Sequence, residues 1–189
     1  TAQTYNNLGN CWVSLGHNSK AVQCYRSALA IRQATLGDRH PDLIPALENL
    51  GDCCFSSGDY VIALDYFRQA LHLATEQGLT ETTPAVASLL HNVGLCYQYE
   101  GDYAQALDLH RSADVGLFEA WGGQEALAGY WNNVGNCFAA LQQTTDAIRC
   151  LRRAETTYED HRDNDPALAI VRNNLGSCLL DAAERAAPG

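Results

Sequence analysis

The chain has 189 residues, 47% of them hydrophobic, which is enough to bury a core, and a formal net charge of −10 from 12 basic and 22 acidic side chains. Such a surface repels phosphate backbones and anionic lipid, so neither nucleic acid nor a membrane is expected as a partner. No run approaches the roughly 18 unbroken apolar residues of a membrane helix, and the first residues carry neither a basic start nor an apolar signal core.

In chain order, the first predicted element is a helix through "NNLGNC" at residues 6–11. Gly costs about 1 kcal/mol in a helix relative to Ala, and Asn costs most of that, so the string has a reason other than helix propensity. It returns as "ENLGDC" at 48–53, "HNVGLC" at 91–96, "NNVGNC" at 132–137 and "NNLGSC" at 173–178. The glycines Gly9, Gly51, Gly94, Gly135 and Gly176 are spaced by 42, 43, 41 and 41 residues, a period that announces a solenoid. A second glycine follows at Gly16, Gly58 and Gly101, with Gln142 in the fourth unit. Alanines then mark a stripe on a second helix: Ala21, Ala63, Ala106 and Ala147, followed two turns later by Ala28, Ala70, Ala113 and Ala154.

Pro41, Pro84 and Pro166 each lie ten residues before a repeat glycine and suit the first turn of a helix, with Thr83 and Asp165 as N-caps. The same count in the first unit falls ahead of Thr1, and "LLDAAERAAPG" offers no further helix. A segment excised from a longer protein is therefore expected.

Five of the eight cysteines (Cys11, Cys53, Cys96, Cys137 and Cys178) hold one repeat position. Equivalent atoms of stacked helices lie roughly 8–10 Å apart, whereas a disulfide needs its Cα atoms within about 7 Å. All eight are expected to be reduced thiols acting as small apolar fillers, in a cytoplasmic protein.

"YNNLGNCWVSLGHNSKAVQCYRSAL" and "ENLGDCCFSSGDYVIALDYFRQAL" resemble tetratricopeptide repeats, and "LGDRHP" at 36–41 resembles the link of the long, kinesin-light-chain type. The resemblance implies an all-α, right-handed solenoid: repeats at about 1–40, 41–83, 84–124 and 125–165, then a terminal helix at 166–187. It further implies that the first helix of each pair, helix A, lines a concave groove. The third link, "FEAWGGQEAL", departs from the pattern, and Trp121 within it reads as a packing plug or as the rim of a second contact site.

On a helical wheel at 100° per residue, Tyr5, Leu8, Gly9, Cys11 and Trp12 share a seam, as do Trp131, Val134, Gly135, Cys137 and Phe138. The opposite arc is too polar to be core. It supplies the candidate peptide-binding residues Asn6, Asn7, Asn10, Glu48, Asn49, Asp52, Phe55, His91, Asn92, Tyr99, Asn132, Asn133, Asn136, Asn173 and Asn174. Asparagine recurs at one position in every unit (Asn7, Asn49, Asn92, Asn133, Asn174). Its carboxamide can pair with the N–H and C=O groups of an extended peptide, or with the adjacent repeat, and one amide can do both. Of the 12 basic residues only Arg172 falls on a helix A outside the tail, so an acidic ligand finds no guanidinium clamp.

No HExxH, GxSxG or phosphate-binding glycine loop occurs, and no catalytic residue, metal site or cofactor is expected. The sequence thus points to a non-catalytic scaffold or adaptor that holds a neutral or basic protein segment in its groove. Two alternatives stand beside it: a regulatory or sensor arm of a larger signalling ATPase or protease, and an architectural spacer that self-associates through exposed solenoid ends.

Overall fold

The computed structural model describes residues 1–113, 115–159 and 166–186; the side chains of 117–119 and 121–122 lie outside that description, and with them Trp121, as does Asp165. Among the described residues there are nine α-helices and no strand. They are α1 (Ala2–Ser14), α2 (Asn18–Leu36), α3 (Ile44–Ser56), α4 (Tyr60–Glu76), α5 (Pro84–Glu100), α6 (Tyr103–Ser112), α7 (Val115–Ala140), α8 (Thr144–Glu159) and α9 (Pro166–Ala186). Helices α1/α2, α3/α4, α5/α6 and α7/α8 pack as antiparallel pairs, and each second helix leans on the first helix of the next pair. The result is an α-solenoid of helix-turn-helix units.

The stripe of alanines explains the close stacking. Ala21, Ala63, Ala106 and Ala147 are fully buried, as are Ala28, Ala70 and Ala154, with Ala113 at 3% exposure. The repeat glycines work from the other side of each pair. A methyl group on Gly9 would meet the Tyr25 ring at 2.5 Å; on Gly94 it would meet His110 at 2.7 Å, and on Gly135 it would meet Leu151 at 2.8 Å. Phe67 presses on Gly51 in the same way. In every unit the residue sixteen places after the glycine closes over it, and a side chain there would force the helices apart.

The corners between paired helices are alike in all four units. The N–H groups of Gly16, Gly58, Gly101 and Gln142 donate to carbonyls three residues back, and the next residue in each case donates five back. Gln142 adopts φ +58°, the left-handed conformation that glycine takes at the other three corners. The fourth unit therefore keeps the turn despite losing the glycine, at a cost of roughly 1–2 kcal/mol for an L-residue in that region.

Three sequence expectations are corrected. The first unit's seam is open: Tyr5 and Leu8 are 42% and 44% exposed and Cys11 is exposed, because α1 packs chiefly on α2 and no described helix covers its other side. Thr83 precedes Pro84 in an extended conformation but makes no side-chain cap; its hydroxyl instead accepts from the Thr80 N–H within the link. The second helix of the pair is long in α2, α4 and α8 but stops after ten residues in α6, and the chain re-enters a helix at Val115 before breaking at Gly123, φ +67°. Pro41 opens a short 3-10 turn ahead of α3, capped by His40 Nδ1 on the Asp42 N–H at 3.2 Å.

All eight cysteines are free, and seven are buried. Burial pushes the Cys96 and Cys137 thiols up to about 12, far from the thiolate state that a reactive cysteine requires.

Candidate functional site: the helix A face

Helices α1, α3, α5, α7 and α9 carry every candidate residue, and the polar arc of each meets that of its neighbour. The meeting is a ladder of amides. Asn49 Nδ2 donates to Asn6 Oδ1 at 3.3 Å, Asn133 Nδ2 lies 3.4 Å from His91 Nε2, and Asn174 Nδ2 donates to Asn132 Oδ1 at 3.1 Å. Between α3 and α5 the register shifts: Asn92 Nδ2 donates to Asp52 Oδ1 at 3.4 Å, while Ser88 donates to Glu48 Oε1 at 3.3 Å. Thus each recurrent asparagine from the second unit onward bonds to the preceding helix A. This is the stack-orienting role of the amide. A carboxamide still has a second N–H and an oxygen to offer, and Asn49, Asn92, Asn133 and Asn174 remain partly open to solvent.

The remaining candidates divide by environment. Asn7, Asn10 and Asn173 are exposed, whereas Asn132 and Asn136 are half-buried. Asn10 accepts from the Tyr25 hydroxyl at 2.8 Å, and Asn7 accepts from Gln3 at 2.9 Å. His91 stacks near His110, with ring centroids 4.7 Å apart, and burial holds both imidazoles well below their ordinary range. Both rings are therefore neutral at physiological pH.

Two features give this face its character. Glu48 and Asp52 stand one turn apart on α3. Desolvation raises both carboxyl groups, and for Asp52 the neighbouring Glu48 charge adds to the effect, bringing it to about 6. Among the described residues neither makes a salt bridge; each accepts only a neutral donor. Beside them lies an aromatic cluster in which Phe55 meets Tyr60 and Tyr99 edge-on, with centroids 5.2 Å apart in both cases, and Tyr60 stacks on Tyr99 at 4.6 Å. Tyr99 is 57% exposed. A cavity of about 350 Å³ opens next to it, lined by Gln98, Tyr99, Tyr103, Asn136 and Ala140.

Tyr60 and Tyr103 were not among the candidates. Both are the tyrosine of a "GDY" string, the first residue of a second helix, and both reach back across the corner toward helix A. The repeated "GDY" was the available signal. Arg172 on α9 turns away from this face to pair with Glu155 at 3.1 Å and with Glu159 on α8.

Among the described residues no group of three His, Cys, Asp or Glu side chains could hold a metal ion, and no helix is long and apolar enough to cross a membrane.

Comparison with known proteins agrees with this architecture. Models of the tetratricopeptide repeat match residues 1–76 and 89–113. Comparison with curated proteins finds no match. The crystal structure of BtubC (BKLC) from P. vanneervenii is similar with a TM-score of 0.77 at 24% identity, over 96% of this chain and 72% of that one. The Podosopora anserina "kinesin light chain nearly identical TPR-like repeats" give a TM-score of 0.75 at 18% identity, over 97% of this chain and 87% of that one. The periodic glycines, the alanine stripe and the paired helices, with repeat models matching across more than half of its length, make this chain a tetratricopeptide-repeat protein.

Proposed function

We propose that the helix A face receives a neutral or basic segment of a partner protein, in a cytoplasmic scaffold or adaptor. The tetratricopeptide fold is in general a non-catalytic protein–protein interaction module. The observation that carries the finer reading is the Glu48/Asp52 pair: two carboxylates brought together and partly desolvated, with no salt bridge among the described residues. A lysine or arginine of a ligand supplies that cation through charge-assisted hydrogen bonds. The Phe55, Tyr60 and Tyr99 rings and the adjoining cavity offer an apolar anchor a short distance along, while the spare amide groups suit the backbone between. The eight free thiols, seven of them buried, accord with a reducing compartment.

An array of biotinylated nonamers containing Lys/Arg, only uncharged residues, or Asp/Glu tests this directly. Basic nonamers are expected to bind most tightly, with a loss of about tenfold in Asp52→Asn or Glu48→Gln, in keeping with one charge-assisted contact. Affinity should rise between pH 5 and pH 7.5 as Asp52 ionises through about 6. Preferential capture of acidic nonamers, or binding by Asp52→Asn as tight as that of the wild type at pH 7.5, would contradict the proposal.

A further inference from the structure

A second surface, away from the helix A face, has the opposite charge. Helix α6 stops at Ser112 and Ala113 is extended, so the last turns that cover helix A in the other units are missing here. The Tyr130 hydroxyl donates to the His110 carbonyl at 3.1 Å, supporting the end of the shortened helix. What opens is a cleft of about 800 Å³ between α6, α7 and α8. Its floor is apolar, with Trp131, Val134 and Phe138 among its lining residues. Its rim carries three arginines: Arg111 from α6, and Arg149 and Arg153 from α8, all exposed.

Helical spacing explains the convergence on α8. Asp146, Arg149 and Arg153 recur at intervals of three and four residues and share one face. Arg149 pairs with Asp146 at 2.7 Å, and Arg153 lies over the Trp131 ring at 4.7 Å, which positions both guanidinium groups at the cleft. Among the described lining residues Asp146 is the one carboxylate, and it pairs with Arg149, which leaves Arg111 and Arg153 without a carboxylate partner among those residues on a chain of net charge −10. An arginine presents a planar fork of donors suited to carboxylates.

We infer that this cleft is a docking site for an acidic peptide segment of a partner protein, whose carboxylates pair with Arg111, Arg149 and Arg153 while an apolar side chain enters over Trp131 and Phe138. The site is independent of the helix A face and of the ligand proposed there.

The test uses the intact chain and three fluorescein-labelled peptides: Gly-Glu-Glu-Leu-Glu-Glu-amide and its counterparts with Gln or Lys in place of Glu. Fluorescence anisotropy is expected to show binding of the Glu peptide at least tenfold tighter than either counterpart. Arg111→Gln combined with Arg153→Gln should weaken it tenfold or more, Arg153→Lys by only a few-fold, and Arg39→Gln, outside the cleft, not measurably. Circular dichroism establishes that each variant is folded; these are exposed side chains, and the Lys variant retains the charge. Equal binding of the Glu and Gln peptides overturns the assignment, as does equal weakening by Arg39→Gln. Complete displacement by inorganic phosphate at matched charge would make this a small-anion site instead. A dimer in sedimentation that the double variant abolishes would give the cleft to a second copy of the chain. Either result contradicts the inference.

Discussion

In the second repeat the side chain that closes over the helix A glycine is Phe67; in the third, the same place sixteen residues on holds His110. Both are essentially out of solvent, at 1% and 0% exposure. Phe67 belongs to the largest apolar cluster among the described residues, with Leu43, Leu47, Leu64, Leu89 and Leu90. His110 occupies an equivalent space, but neither of its ring nitrogens has a hydrogen-bond partner among the described residues. The comparison teaches that the helix pair requires a side chain of suitable shape against the glycine and tolerates different chemistry in it. The third repeat carries a polar load in its core, and it is also the repeat whose second helix is cut short. The second repeat acts as the anchor, and the third departs from the regular pattern.

Breaking the anchor should have the largest effect. Phe67→Ala is expected to cost about 3–5 kcal/mol, the range for removing a buried aromatic ring, read from urea or thermal denaturation. A loss below that of an exposed-site control would contradict its assigned role.

Converting the third repeat to the chemistry of the second sharpens the contrast. His110→Phe should stabilise the protein at neutral pH by about 1–3 kcal/mol, the usual penalty for an unsatisfied buried polar group. The pH dependence follows from linkage. His110 is held below its unfolded value of 6.5 by burial and then by His91, so the unfolded chain binds more protons as the medium is acidified. Above 6.5 the ring is neutral in both states and adds no pH dependence, and stability falls as pH drops below that value toward the folded-state pKa. His91 acts in the same direction. Plots of unfolding free energy against pH should therefore slope less steeply below 6.5 in His110→Phe than in the wild type, by up to about 1.4 kcal/mol per pH unit for one proton.

The ladder that joins the repeats comes next in size. Asn49→Ala and Asn133→Ala should each cost about 1 kcal/mol, as expected for one partly exposed hydrogen bond. The smallest effect belongs to the fourth corner: Gln142→Gly should raise stability by about 0.5 kcal/mol, because relief of the left-handed steric cost is largely offset by the extra backbone entropy that glycine loses on folding.

Much of this fold was legible because its period is written in small residues. Gly9, Gly51, Gly94 and Gly135 announced close helix contact, and the two rows of alanines marked the buried stripe, since only the absence of side-chain bulk permits such approach. The residues that meet the glycines were harder to see. Tyr25, Phe67, His110 and Leu151 share a position but not a chemistry, and a shape requirement leaves no identity to follow. The amide row was visible in the sequence, but its partners were not, because the offset between neighbouring helices decides whether Asn92 meets Glu48 or Asp52. The early end of α6 carried no proline or glycine to signal it, and Gln142 gave no hint that it would take a glycine's conformation. At the helix A face, Glu48, Asp52, Phe55 and Tyr99 could be chosen from the helical wheel, but the reach of Tyr60 and Tyr103 across the corner depends on tertiary packing.

The most direct test of the helix A reading is a residue-resolved NMR titration of the isotope-labelled chain with the tightest-binding basic nonamer from the array. The account predicts that the largest shifts fall on the backbone and side-chain amides of Asn49, Asp52, Asn92, Tyr99 and Asn136, with Val61 on α4 unaffected. Shifts confined to α2, α4 and α8, with the helix A amides unchanged, would contradict it.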